Sequence, residues 1–198
     1  MKMVSKKSVN ILVLSMAVLV MTSFTTSAQE WSRSGKGELF GSLQSMSGDT
    51  TNLGSIMMEV DDSTVFGIGY GYNLNDHLNF NGDLLIGSTD ITGSEGSIVI
   101  NGDSTLTVMD LNLDCNLLKS KFTPMISGGI GYINFNGDFS GFDFNETDFS
   151  YNLAIGFRWD VSDHWLLKGG YKATWTEIQD TDDQIMLDGL SLSAGYVF

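Results

Sequence analysis

Val65-Phe66-Gly67-Ile68-Gly69-Tyr70-Gly71-Tyr72 carries a large apolar side chain at every even position, with glycine between them. A period of two marks a β-strand with one apolar face, because successive side chains of an extended chain point to opposite sides. The same period recurs along the chain. Leu78, Phe80, Leu84 and Ile86 alternate with Asn79, Asn81 and Asp83, and Thr107, Met109, Leu111, Leu113 and Cys115 with Val108, Asp110, Asn112 and Asp114. Tyr151, Leu153, Ile155, Phe157 and Trp159 alternate with Asn152, Ala154, Gly156 and Arg158. Trp165, Leu167, Tyr171, Ala173 and Trp175 form a further set around Lys168, Gly170 and Lys172, and Leu190, Leu192, Ala194, Tyr196 and Phe198 form the last. The less regular segments Gly37 to Met46 and Phe122 to Phe135 bring the number of strands to eight. The single proline, Pro124, sits at the start of one, where a missing ladder donor is best tolerated.

Short connections, Asn73 to Asp76, Leu117 to Lys121 and Asp160 to Asp163, take turns with long ones, Ser47 to Ser63, Ser88 to Asp103, Asn136 to Asp148 and Glu177 to Leu187. Three tight turns and four long loops suit eight antiparallel strands with both termini on the tight-turn side. Tyr72-Asn73-Leu74-Asn75-Asp76-His77-Leu78 is echoed by Trp159-Asp160-Val161-Ser162-Asp163-His164-Trp165, which marks two of the turns as equivalent.

Ahead of the strands, Lys2, Lys6 and Lys7 precede an apolar run from Ile11 to Met21, and Thr26 and Ala28 supply small residues for a signal peptidase. That order predicts a secretory signal peptide over residues 1–28, cleaved to leave a domain of residues 29–198. The apolar run is too short for a spanning helix, which takes about 20 residues. The 198-residue chain has 10 Lys and Arg against 24 Asp and Glu, so without the three leader lysines the domain holds seven bases and twenty-four acids, a net charge of −17. Such a balance excludes a basic nucleic-acid binder. The lone Cys115 has no partner for an intramolecular disulfide.

Eight strands of this kind build either a soluble sandwich with its apolar faces inward or a barrel with them facing lipid. Charge placement favours the barrel. Asp83, Asp110, Asp114, Arg158, Lys168 and Lys172 fall near strand centres on the polar faces, among Gly and Asn. A narrow lumen suits small residues and paired charges while the outside supplies an apolar band. Tyr72, Trp159, Trp165 and Trp175 sit at strand ends, where an interfacial aromatic girdle belongs. The lumen of eight strands is only wide enough for side chains, so these six charges are expected to form a packed network rather than line a pore.

The final strand ends on Phe198 with an aromatic two residues earlier, Tyr196, and so resembles the assembly signal of bacterial outer-membrane barrels. With the leader, the period and the loop pattern, the chain resembles the small eight-stranded outer-membrane proteins of the OmpA, OmpX and OmpW kind. Phe66-Gly67-Ile68-Gly69-Tyr70, Phe122-Thr123-Pro124 leading to Gly128-Gly129-Ile130-Gly131-Tyr132, and Ser193-Ala194-Gly195-Tyr196-Val197-Phe198 look most like the OmpW set. The resemblance implies an all-β, antiparallel, up-and-down transmembrane barrel in the outer membrane of a Gram-negative cell, with periplasmic termini. It also implies outer-membrane lipid, lipopolysaccharide and the barrel-assembly machinery as partners.

Nothing in the sequence assembles a catalytic or metal-binding set. His77 and His164, the only histidines, fall in separate tight turns, whereas acid–base or nucleophilic chemistry needs partners within hydrogen-bond reach. The four long connections together contain fifteen acids and no Lys or Arg, an acidic rim to which divalent cations could be drawn. Phe139, Phe142, Phe144 and Phe149 lie among those acids, as candidates for an apolar mouth. The expectation is a monomeric, non-enzymatic, cofactor-free envelope-structural barrel. Passage of small hydrophobic molecules and surface adhesion through the long loops are the alternatives.

Overall fold

The computed structural model describes residues 31–198 apart from 49, 54–55, 96–97, 140–141 and 178–183. The segment expected to be a signal peptide lies outside the described residues. The unit from Ser32 to Phe198 holds β1 (Gly37–Met46), β2 (Thr50–Leu53), β3 (Ile56–Val60), β4 (Ser63–Asn73), β5 (Leu78–Glu95), β6 (Ile98–Asn116), β7 (Phe122–Phe139), β8 (Phe142–Asp160), β9 (Trp165–Glu177) and β10 (Gln184–Val197). From β4 to β10 each strand pairs antiparallel with the next, β10 pairs with β1, and β1 pairs with β4. Eight strands therefore close into a ring. β2 and β3 form a small hairpin outside it, with β3 taking up the edge of β5 from Ile91 to Ser94, beyond the point where β4 begins.

The seam that closes the ring runs from Glu38↔Val197 to Gln44↔Ser191. Gly37 and Phe198 complete it by exchanging N–H···O bonds of 2.9 Å in both directions. Ser42 and Ser193 add a hydroxyl contact of 2.8 Å across the same two strands. Such closure matters because every backbone N–H or C=O left unpaired in hydrocarbon costs several kcal/mol.

The wall is apolar outside and polar inside. Leu190, Ile68 and Phe66 are more than 60% exposed, whereas Glu38 and Arg158 are fully buried. On β8 the outward set runs from Phe149 to Trp159; ten residue steps on a strand tilted by about 40° span about 25 Å, the height of an outer-membrane apolar band. Aromatics rim both edges of that band. Tyr70 packs near Phe198, and Trp165 and His164 both pack on Tyr196, at the tight-turn edge; Tyr132 meets Phe149 edge to face, and Tyr151 stacks on Trp175, at the other.

The expected long loops are largely strand. The β5–β6 ladder continues to Glu95↔Ile98 and the β7–β8 ladder to Phe139↔Phe142, so only residues 96–97 and 140–141 connect them. Past the apolar band the two faces exchange character. Outward positions become Ser45, Thr64, Ser88, Thr105 and Asn136, while inward positions become Met46, Val65, Leu85, Leu106, Val108, Ile133, Phe135, Ile185 and Leu187, which pack as one buried apolar cluster. Water replaces lipid outside the wall at this level, so the favourable burial is inward. The alternation shifts phase there, at Val65-Phe66, Val108-Met109 and Tyr132-Ile133.

The echoed turns are built alike. The Asn75 side-chain oxygen accepts from the His77 and Leu78 amides at 2.8 Å each, as the Ser162 hydroxyl does from His164 and Trp165 at 3.2 and 3.1 Å. Removing Tyr196 to Phe198 takes away the tight-turn end of the seam. Loss of the mobility difference between unheated and boiled samples in detergent gels is the expected outcome, and a deletion variant that keeps it contradicts closure through β10.

Candidate functional site

Inside the ring the charged side chains form a line of alternating sign toward the tight-turn end. Asp114 Oδ2 is 3.1 Å from Lys168 Nζ, which is 2.5 Å from Glu38 Oε1; Glu38 Oε2 is 2.8 Å from Arg158 Nη1, and Arg158 Nη2 is 3.0 Å from Asp160 Oδ1. Asp160 Oδ2 in turn meets Arg33 Nη2 at 2.8 Å. Lys172 and Asp110 form a separate pair at 2.5 Å. Of the six residues singled out in the sequence, five thus lie in ion pairs. The sixth, Asp83, accepts a hydrogen bond from the Asn112 amide at 3.1 Å and forms no ion pair among the described residues.

Three members of this line have no strong local signature. Glu38 belongs to β1, whose outward face is interrupted by Gly41 and Ser45; Arg33 precedes the first strand; Asp160 is the last residue of β8 and looks like a turn residue. Only its spacing of two from Arg158, which puts both on one strand face, could have indicated the pairing. Arg33 closes the tight-turn end. Its guanidinium donates to the Ser120 and Asp76 carbonyls at 2.7 Å each besides meeting Asp160, so one fully buried side chain ties together the β4–β5 and β6–β7 turns and the end of β8.

Glycine opposite these groups makes room for them. Glu38 faces Gly71, Asp83 faces Gly69, and Asp110 faces Gly131 in the strand registers. A methyl group added at Gly69 or Gly131 would overlap the carboxylate across from it. Beside the charges lies a chamber of about 70 Å³ lined by Gln44, Asn112, Asn152, Lys168 and Lys172 together with the apolar Phe40, Leu85 and Met125. The Gln44 Nε2 and both Asn152 amide atoms have no hydrogen-bond partner among the described residues, and a cavity of this size with such groups in its wall suits a few bound waters. The apolar cluster of the fold then caps the chamber on the side away from Arg33.

The remaining sequence candidates are scattered. His77 Nδ1 meets the Asn116 carbonyl at 2.8 Å and His164 Nδ1 the Val197 carbonyl at 3.2 Å, so each histidine caps the end of a neighbouring strand. Phe149 is half exposed on the outer wall beside Tyr132 and belongs to the girdle. The side chains of Phe139, Phe142 and Phe144 lie outside the described residues. Tyr196 and Phe198 point outward at the seam.

A closed ring with an apolar exterior, two aromatic girdles and a charged, capped interior is an integral β-barrel of a membrane. The chain matches the outer membrane protein beta-barrel domain family over residues 15–198 and belongs to it, which implies an outer-membrane location. No curated protein sequence matches it significantly. Among solved structures it is similar to the outer membrane protein OprG of Pseudomonas aeruginosa, with 14% identity, 84% of this chain and 97% of that one covered, and a TM-score of 0.66. It is likewise similar to Neisserial surface protein A, with 18% identity, coverage of 85% and 100%, and a TM-score of 0.59. The attachment invasion locus protein Ail of Yersinia pestis, solved with a heparin analogue, shares 17% identity over 83% and 99% of the two chains, with a TM-score of 0.55. At such identities the likeness concerns the fold.

Replacing Arg158 by Met leaves Glu38 and Asp160 with one cation each where they now have two. Breaking a buried ion network costs about 3 to 5 kcal/mol, so urea unfolding in lipid vesicles should give a correspondingly lower midpoint. A second prediction concerns Asp76 in the β4–β5 turn. Partial burial opposes its charge, but hydrogen bonds from Lys119, the Ser32 hydroxyl and the Arg33 amide outweigh it and hold the carboxyl well below the usual carboxylate range. A carboxyl lowered by folding contributes stability above its unfolded pKa of about 4 and loses that contribution as pH falls through the folded value. Stability of Asp76→Asn should accordingly fall less than that of the parent between neutral and strongly acidic pH.

Proposed function

We propose that the protein is a non-enzymatic, envelope-structural barrel that carries no continuous aqueous pore. The observation that supports this reading is the interior, obstructed at two levels by unlike materials. At the tight-turn end it is crossed by the ion-pair line ending in Arg33, and at the other end by the apolar cluster around Leu106, Ile133 and Leu187. An ion would have to break the first and shed its water in the second, where an unpaired charge costs far more than it recovers. The histidines are occupied as strand caps on separate turns, and this supports a role other than acid–base catalysis.

The tight turns and the Arg33 strap face the periplasm in this reading, and the strand extensions face the cell exterior. Charge supports that polarity. The exposed Lys119 and Lys121 belong to a tight turn, whereas Asp61, Asp62, Asp90, Asp103 and Glu146 lie at the extended end. Surface adhesion is the second role, supported by the ladders of β5–β6 and β7–β8, which project beyond the apolar band as paired strands able to present a rigid surface.

Planar-bilayer recording tests the principal proposal. The reconstituted barrel is expected to give no stable, large conductance, and regular open channels in the parent protein would overturn it. Arg33→Ala alone should remain closed, since the apolar cluster is untouched.

A further inference from the structure

Two glycines form a notch in the inner wall just below the apolar cluster. Gly129 and Gly131 are successive inward positions of β7, and the next one along is Ile133 of the cluster. The strand registers flank them from both sides, with Asn112 and Asp110 of β6 on one and Asn152 and Ser150 of β8 on the other. A methyl group at Gly129 would overlap Asn112 Oδ1, and one at Gly131 would overlap Asp110 Oδ1, so both oxygens reach over the glycines.

The four flanking side chains are each at most 4% exposed. Each keeps an oxygen with no hydrogen-bond partner among the described residues: Asp110 Oδ1, Asn112 Oδ1, Ser150 Oγ and Asn152 Oδ1. The carboxylate and amide oxygens can only accept, and one water molecule has too few hydrogens to serve them all. Asn112 and Asn152 also line the chamber of about 70 Å³, so the notch opens onto space for water.

The interior charges point the same way. Between the tight-turn end and the level of the cluster, Arg33, Arg158, Lys168 and Lys172 are paired with Glu38, Asp110, Asp114 and Asp160. Asp83 is a fifth inward carboxylate, directly across from Asp110 in the register, and its Oδ1 is without a partner. Asp148, the inward residue beyond Ser150, is opposite Ile133 at the level of the cluster and lies outside this count. The enclosed space is therefore one positive charge short, and an uncompensated buried charge is costly. Asn112 joins the two features, donating through Nδ2 to Asp83 Oδ2 at 3.1 Å while its Oδ1 lies over Gly129.

We propose that the notch binds one monovalent cation of sodium size, ligated by Asp110 Oδ1, Asn112 Oδ1, Ser150 Oγ and Asn152 Oδ1, with chamber water completing its shell. The cation meets the open acceptors and supplies the missing charge close to Asp83. Calcium is ordinarily held by about six to eight oxygens with carboxylates prominent among them. This set has one carboxylate, already shared with Lys172, and otherwise neutral oxygens, which suits a single charge. Bound there, the ion fastens β6 to β8 across the glycines of β7.

The test is urea unfolding of the full barrel in vesicles of uncharged phosphatidylcholine, with sodium chloride exchanged for choline chloride at constant ionic strength. Choline is too large for the notch. A ligand bound only by the folded state stabilises it by mass action, so once sodium exceeds its dissociation constant each tenfold rise should lower the unfolding constant of the parent about tenfold. Asn152→Leu breaks no hydrogen bond among the described residues and should lose that dependence; Asp83→Asn, which balances the interior charges, should weaken it. If Asn152→Leu does not give a heat-modifiable barrel, Ser150→Ala takes its place with a weakened dependence expected. A parent midpoint that is equal in sodium and choline means that water alone fills the notch, and one that follows pH but not sodium means that a proton supplies the missing charge. Either result overturns the proposal, as does a sodium dependence that Asn152→Leu retains in full. Conductance reports separately on the closed interior, so the two proposals fail independently.

Discussion

Hydrocarbon offers no hydrogen-bond partner, and this one constraint organises the molecule. A sheet placed in it must have no edge, so the first and last wall strands have to meet. The β1–β10 seam is where that requirement is met, from Gly37 bonded to Phe198 up to Gln44 opposite Ser191. Once the ring closes at eight strands, its width is set, and an interior only as wide as its side chains must be filled by whatever those strands point inward. The ion-pair line, the glycines facing its carboxylates and the apolar cluster are all consequences of that narrowness.

The solvent outside the wall then decides what each level of the interior holds. Within the bilayer the outward side chains are apolar and the inward ones can be charged, provided each charge finds a partner. Above the bilayer, water outside and a dry core inside reverse the pattern. Val108 and Met109 are neighbours in sequence, yet one is buried in the cluster and the other faces lipid. A phase shift of this kind, more than any turn signal, marks where the strands leave the membrane.

That shift also explains what was legible in the sequence. Sets such as Phe66 to Tyr72 and Tyr151 to Trp159 identify strands because both faces keep one character over several residues. Ser88 to Asp103 and Asn136 to Asp148 look like loops because residues that face outward there, such as Ser88, Asp90, Asp103 and Asn136, are polar, although the ladders run through most of both. Among the interior groups, Asp110, Asp114, Lys168 and Lys172 stand at strand centres on a polar face and are apparent from period alone. Glu38, Asp160 and Arg33 are not, since each sits where a strand begins, ends or has yet to start and acquires its role only from long-range register. The packing at Gly169 is less visible still: Phe157 and Leu192 are beside it on other strands, a proximity that no local pattern carries.

Amide hydrogen exchange along the seam, measured on the barrel in bilayer nanodiscs, bears most directly on closure. Leu39 to Gln44 and Ser191 to Val197 should exchange as slowly as the central β5–β6 ladder, because both sides of every strand are paired within the bilayer. Fast exchange confined to β1 and β10, with β5 and β6 still protected, would mean an open sheet and contradict the account.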